Sequence, residues 1–193
     1  MRRRYEEHWR ELPPDPEPWR WAWRRELLLA ELRPGDRWLD LGCGAGRFTA
    51  LAANAIGVEV APAALERARA NVPGGDFRLV EEDGTLPLGH GEVDVVWCSE
   101  VLEHVPDTVA FLTEARRVLK RGGRLLVTVP GHGLVRRTAI ALLRYDAHYD
   151  PLGQHVRFYT RRSLTTALAA TGFEDVAISG LTRGALLARA IRP

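Results

Sequence analysis

The feature that most constrains this chain is one run of nine residues, Trp38-Leu39-Asp40-Leu41-Gly42-Cys43-Gly44-Ala45-Gly46. A short apolar strand passes straight into glycines at i, i+2 and i+4. Glycines let a backbone approach a ligand closely, and the element that follows offers unpaired N–H groups. The spacing excludes two common loops. A dinucleotide loop sets its glycines at i, i+2 and i+5, and a phosphate loop needs Gly-Lys-Ser or Gly-Lys-Thr, which is absent here. Asp40 stands just before the glycines. A carboxylate there repels pyrophosphate and suits an ammonium group.

From Arg37 onward the pattern alternates strand and helix. After the glycine loop a helix is predicted from Arg47 to about Ala53. There follow a strand at Ile56–Val60, a helix at Pro62–Asn71 and strands at Phe77–Val80 and Val93–Cys98. A helix at Thr108–Leu119 precedes a strand at Arg124–Val129. A helix at Ser163–Thr171 leads to strands Val176–Ser179 and Ala185–Ile191. This order predicts an α/β, Rossmann-like doubly wound sheet of seven strands, mainly parallel, with an antiparallel hairpin strand at the C-terminus.

Four segments divide the single expected domain. Residues 1–35 form an N-terminal cap or lid and 36–130 the cofactor-binding core. Residues 131–162 are an acceptor-side insertion, with a helix over Leu134–Leu143, and 163–193 the closing helix and hairpin. The cap crowds Tyr5, His8, Trp9, Trp19, Trp21 and Trp23 around the proline run 13–18. Trp23, Leu27 and Ala30 are predicted as the packed face of a helix over Trp19–Leu32, whereas Trp9 and Trp19 suit a lid.

Composition narrows the class. With 46% hydrophobic and 27% charged residues the chain is globular, and no stretch reaches the roughly 18 apolar residues of a membrane span. Two cysteines, Cys43 and Cys98, exclude a disulfide framework and read as small buried residues rather than nucleophiles. The start lacks the apolar core of a secretory signal, and a cytoplasmic address is expected. Residues 116–193 carry 14 basic and 4 acidic side chains against 13 and 21 in residues 1–115. The late stretch interleaves Arg136, Arg137, Arg144, Arg157, Arg161 and Arg162 with Tyr145, Tyr149, Phe158 and Tyr159, which suits either RNA or a lid with a solvated basic face.

Two more acids stand at strand ends, Glu59 at the end of the second strand and Asp83 after the third. Glu59 can accept both hydroxyls of a ribose, and Asp83 can accept from an adenine amino group. An amine, a ribose and an adenine, with no phosphate clamp, make S-adenosylmethionine the expected cofactor and S-adenosylhomocysteine its product. At this point the chain resembles class I S-adenosylmethionine-dependent methyltransferases of the small-molecule type. The resemblance rests on WLDLGCGAGRFT, GVEVAPAALERAR, EEDGTLPLGHGEVDVVWCSEVLEHVPD and LTEARRVLKRGGRLLVTVP, in that order. It implies that Asp40, Gly42 and Gly44, with Cys43, lie along the methionine part. It implies Glu59 and Val60 at the ribose, Asp83 and Gly84 at the adenine, and Ser99 near the methionyl end. One departure is visible: the connection from the first helix to the second strand is very short.

Methyl transfer from a sulfonium is an in-line displacement, and a base is needed only for a hydroxyl or protonated amine acceptor. The candidate turn is Glu100-Val101-Leu102-Glu103-His104. Spacing of i, i+3 and i+4 sets Glu100, Glu103 and His104 on one face of a helical turn. Three readings stay open: His104 as a general base; a divalent metal on Glu100, Glu103 and His104; or a structural turn whose glutamates pair with arginines and whose histidine caps a helix. The metal reading is the one implied by resemblance to ubiquinone-biosynthesis O-methyltransferases and small-RNA 2′-O-methyltransferases. It needs a later histidine, His155 before His132 or His148. The expected activity is methyl transfer to a small or medium acceptor at oxygen, with His104 catalytic and no metal. RNA as acceptor and a non-catalytic S-adenosylmethionine-binding module are the alternatives.

Overall fold

Trp38–Leu41 forms strand β1, all four residues buried, and the sheet is arranged around it. A computed structural model of the chain describes residues 2–13, 15–81, 83–131, 133–143, 155–180 and 184–193, without the side chains of 4 and 134–137. On one side β1 pairs in parallel with β2 (Ala55–Glu59), and β2 with β3 (Asp76–Leu79). On the other it pairs with β4 (Val93–Ser99), and β4 with β5 (Leu119–Pro130). Two antiparallel strands, β6 (Glu174–Gly180) and β7 (Ala185–Ile191), complete the order β3-β2-β1-β4-β5-β7-β6. The central strands are continuous apolar runs, as burial on both faces requires. The order reverses between β1 and β4, so the crevice outside their C-terminal ends is where such a sheet takes a ligand.

Six α-helices are assigned in the described residues: α1 (Arg2–Glu11), α2 (Trp21–Glu31), α3 (Pro62–Asn71), α4 (Thr108–Val118), α5 (Leu134–Leu143) and α6 (Arg161–Ala170). Asp107 caps α4 by accepting from the Ala110 N–H, and Thr160 with Ser163 forms a capping box on α6. Leu112 and Val118 of α4 and Leu164 and Leu168 of α6 pack on one face of the sheet with Val96, Leu125 and Val127. On the other face Leu28 of α2 meets Trp38, Phe48, Trp97 and Leu126. Among the described residues no helix is long and apolar enough to cross a membrane.

Three local expectations differ from the structure. The helix over 47–53 is a single 3₁₀ turn, Thr49–Leu51. The chain must return from the C-terminal end of β1 to Asn54, whose carbonyl accepts from the Trp38 N–H. That path is about 13 Å for a four-residue strand. The seven residues 47–53 as an α-helix would rise only about 10 Å, with none left for the exit. A 3₁₀ turn with extended flanks covers it. The second difference is the packed face of α2. Its buried residues are Arg24 and Leu28, Trp21 and Leu27 pack beside them, and Ala30 is exposed. A charged residue occupies the inward position, so apolar spacing pointed to the wrong stripe. The third is β5, which starts five residues early and follows α4 directly.

Candidate active site

The glycine loop is held against β2 by two backbone bonds, from the N–H groups of Gly42 (2.9 Å) and Cys43 (3.0 Å) to the carbonyl of Val58. Gly42 and Gly44 both have positive φ, 83° and 53°, a region that side chains disfavour. Each also lacks space. A Cβ on Gly42 would clash with Val101, and one on Gly44 would lie 2.7 Å from the Trp9 ring. The loop is therefore roofed by the turn after β4 and by α1.

Three carboxylates follow the loop outward. Asp40 is buried, and its Oδ2 accepts from the Thr49 hydroxyl at 2.7 Å. Burial raises its pKa to about 7, against the pull of the Thr49 hydrogen bonds. The 3₁₀ turn thus has a task, since it delivers Thr49 to Asp40. Glu59 is also buried. Its Oε2 accepts from the Gly44 N–H at 3.2 Å, and its Oε1 from the N–H groups of Val60 (2.7 Å) and Ala61 (3.2 Å). Burial pushes the Glu59 carboxyl up, and these three donors pull it down. Asp83 is exposed and accepts from the Thr85 N–H at 2.8 Å, which lowers its pKa.

These residues share one cavity of about 1110 Å³. It is lined by every residue that the sequence assigned to the cofactor: Asp40, Gly42, Cys43, Gly44, Glu59, Val60, Asp83, Gly84 and Ser99. His104, Glu100, Glu103 and His155 line it too. Its size stands at the upper end of small-ligand pockets, room for a cofactor and an acceptor together. Burial pushes the thiols of Cys43 and Cys98 well up, so neither is a thiolate.

Leu102–His104 forms a 3₁₀ turn after β4, entered through Glu100 at φ 57°. His155 is brought in from the late stretch because the N–H groups of Val156 (2.9 Å) and Arg157 (3.1 Å) donate to the carbonyl of Glu103. The His104 and His155 rings then lie 4.7 Å apart at 31°, with Tyr5 edge-on to His104 at 5.9 Å. Glu103 is buried, and neither of its carboxylate oxygens has a hydrogen bond among the described residues; the same holds for Oε1 of Glu100. Burial, and then the neighbouring charge of Glu100, push the Glu103 carboxyl up. Ligand atoms of Glu103, His104 and His155 lie within 4.8 Å of one another, a group that does not include Glu100. No ion pair joins either glutamate to an arginine among the described residues, and His104 sits inside the turn rather than at a helix cap. His132 and His148 lie outside the described residues.

Sequence reasoning missed Arg24. It reaches from α2 under the cavity floor, 3% exposed, and its Nη1 donates to the Ser99 hydroxyl at 2.8 Å. Ser99 in turn shares a hydrogen bond with Thr128 at 2.9 Å. Burial lowers the Arg24 pKa, and Glu100, Glu103 and Asp40 oppose that. The available signal was an arginine at the inward position between Trp21 and Leu28. Trp9 and Trp19 both line the cavity, Trp9 over Gly44 and Trp19 at 47% exposure.

Comparison with known proteins agrees with this geometry. A family profile described as "Methyltransferase domain" matches residues 15–178. The 27-O-demethylrifamycin SV methyltransferase of Amycolatopsis mediterranei is 35% identical over 72% of this chain and 63% of its own. The ubiquinone biosynthesis O-methyltransferase of Xanthomonas axonopodis pv. citri is 31% identical over 82% of this chain and 71% of its own. Among solved structures, the geranyl diphosphate C-methyltransferase from Streptomyces coelicolor A3(2), in complex with Mg²⁺, geranyl diphosphate and S-adenosyl-L-homocysteine, has a TM-score of 0.65. It is 19% identical and covers 93% of this chain and 86% of that one, a likeness of fold alone. The chain spans between 33% and 63% of the length of three curated relatives that it matches. With a family profile across most of its length, the chain belongs to the class I S-adenosylmethionine-dependent methyltransferases.

Proposed function

We propose that the chain transfers the methyl group of S-adenosylmethionine to a hydroxyl of a small aromatic acceptor, with His104 taking the proton. The observation that carries this is the place of His104, in one cavity with the glycine loop and beside a buried glutamate that has no hydrogen bond among the described residues. Asp40 pairs with the cofactor's ammonium and Arg24 with its carboxylate. Glu59 accepts from the ribose and Asp83 from the adenine amino group. Gly42, Cys43, Gly44, Val60, Gly84 and Ser99 form the walls. The acceptor oxygen attacks the methyl carbon in line, the carbon–sulfur bond breaks, and S-adenosylhomocysteine leaves. The hydroxyl proton passes to the imidazole of His104. The imidazolium then faces Glu103, whose burial without a cation disfavours its charge.

The acceptor side is aromatic, with Tyr5, Trp9, Phe111 and Phe158 lining it beside the two histidines. Residues 1–35 and the described part of 131–162 supply most of this wall. Two arginines of the basic stretch are spent on backbone carbonyls, Arg157 on Val105 and Arg161 on Ile178 and Gly180. That favours a small molecule over RNA. The two relatives named above with O-linked acceptors are in keeping with oxygen. The test is production of S-adenosylhomocysteine with a panel of phenols, catechols and short RNA oligomers. Turnover of an aromatic hydroxyl is expected. Turnover of RNA alone, or of nothing in the panel or a cell extract, would discard the reading.

A second reading has its own support. One carboxylate and two imidazoles converge within 4.8 Å, and both oxygens of that carboxylate lack a hydrogen bond among the described residues. This donor set fits a divalent metal ion, which Glu103, His104 and His155 would hold. When bound, such an ion would lower the pKa of an acceptor hydroxyl. Loss of turnover in chelator, restored by Mn²⁺ or Mg²⁺, would select it over the free base.

A further inference from the structure

Helix α3 starts badly on its own. Its N-cap, Ala61, has no side-chain acceptor, and Pro62 follows it. The Ala63 N–H is one of the donors that a helix start leaves unpaired. It is taken from outside: Oε2 of Glu6, in α1, accepts from it at 2.9 Å. The other oxygen, Oε1, accepts from Arg10 at 2.9 Å, which fixes the carboxylate's orientation. A carboxylate at a helix N-terminus also gains from the peptide dipoles.

Two neighbours on the same stripe of α1 dock alongside. Arg2 donates to the Val80 carbonyl, just beyond β3, at 2.6 Å, and Trp9 covers Gly44. Residues 2, 6 and 9 thus touch the chain following β3, the start of α3 just after Glu59, and the glycine loop. At the other end of α1, Arg67 of α3 donates to the carbonyls of Arg10 and Pro13. The adjoining stripe of α1 carries Tyr5 and His8, and both line the cavity, as does Leu12 just beyond the helix. Tyr5 is the ring that meets His104. One helix therefore docks on the cofactor motifs with one stripe and walls the acceptor space with the next.

We infer that Glu6 is a positioning residue that seats α1, and that Tyr5 and His8 are the specificity-determining side chains it brings to the acceptor. This rests on the reading of the cavity as the methyl-transfer site. An acceptor then meets a complete wall only when α1 is docked over the cofactor strands.

Two readouts test it, amide hydrogen exchange of residues 2–12 and steady-state turnover with catechol as probe. Glu6→Ala should speed exchange in 2–12 and raise the acceptor KM roughly tenfold, as for one lost charge-assisted hydrogen bond. Affinity for S-adenosylhomocysteine should change by less than about threefold, because the residues that hold it stay in place. Glu6→Gln keeps an oxygen acceptor but not the charge, and should raise KM by less than Glu6→Ala does. Glu6→Ala also removes the cap of α3, so a second change separates the roles. Adding Ala61→Ser supplies a local cap and should restore the melting temperature without restoring KM. Tyr5→Leu should reorder the acceptor panel. Unchanged exchange in Glu6→Ala, or recovery of KM by Ala61→Ser, would overturn the inference. If wild type turns over no acceptor, the site reading fails, and the exchange data still decide whether Glu6 seats α1.

Discussion

Glu59, which ends β2, and Glu103, in the turn after β4, are both buried glutamates at the C-terminal ends of the strands flanking β1, and they are treated in opposite ways. Three backbone N–H groups converge on Glu59, whereas the carboxylate of Glu103 has no hydrogen bond among the described residues. The contrast extends around each. On the cofactor side Asp40 has Thr49 and Asp83 has the Thr85 N–H, all supplied by nearby chain. On the acceptor side the groups come from α1, from the turn after β4 and from residues 155–158, far apart in sequence. A buried carboxyl without a donor is costly unless a cation or a proton meets it. The cofactor half is thus complete before ligand arrives, and the acceptor half awaits a charge.

The largest expected effect breaks the acceptor half alone. His104→Ala should lower the turnover rate by roughly 10²–10⁴, the usual worth of a positioned base. Calorimetry with S-adenosylhomocysteine should show cofactor affinity within about threefold of wild type, since sites with no shared partner act independently. Equal losses in rate and affinity would mean that the two halves are one unit.

Breaking the other half should invert the pattern. On the proposed reading Glu59 accepts from two ribose hydroxyls, so Glu59→Ala should weaken cofactor binding by roughly 1–3 kcal/mol. It also strands the N–H groups of Gly44, Val60 and Ala61, so some melting temperature should be lost with it. Turnover at saturating cofactor should fall far less than in His104→Ala. An affinity unchanged by the substitution would remove Glu59 from the site.

The same contrast explains what the sequence could show. Asp40 and Glu59 lie at the C-terminal ends of β1 and β2, and Asp83 stands four residues past β3, so the reading that found the strands found these acids with them. The pairing of His104 with His155 depends on two backbone bonds to the Glu103 carbonyl, which no local pattern encodes. Arg24 was hidden because helical periodicity counts apolar residues, and the inward residue of α2 is charged. The 3₁₀ turn was misread as a helix because propensity favours Phe-Thr-Ala-Leu-Ala-Ala as helix, whereas the distance back to β2 decides the matter. Thr49, the partner of Asp40, was missed for that reason.

A smaller effect comes from Asp40, the one cofactor carboxylate whose burial raises it to about 7. An ammonium group prefers it ionised. Cofactor affinity should therefore rise with pH toward about 7 and then level off, by at most tenfold per unit. Stability of the free protein moves the other way. The raised carboxyl contributes most below the ordinary carboxylate range, and that contribution is lost as pH rises through about 7. The difference in melting temperature between wild type and Asp40→Asn, followed from pH 4 to 8, isolates this group. An affinity that is flat with pH in wild type would place the ammonium elsewhere.

The smallest effect tests where the cofactor half ends. Asp83 lines the cavity but is exposed, and its Oδ1 already accepts from the Thr85 N–H. Water competes for an exposed carboxylate, so a hydrogen bond from an adenine amino group there adds little. Asp83→Ala should weaken S-adenosylhomocysteine binding by only a few-fold. Asp83→Asn is the sharper variant, because it keeps an oxygen acceptor and the Thr85 turn while removing the charge. If adenine is read at this position, Asp83→Asn should bind nearly as wild type, and the affinity ratio of S-adenosylhomocysteine to its inosine analogue should shrink in Asp83→Ala. That analogue replaces the amino donor with a carbonyl, so it measures the contact and not the turn. A ratio that is the same in wild type and Asp83→Ala would move the adenine away from Asp83 and leave the ordered half of the site ending at Glu59.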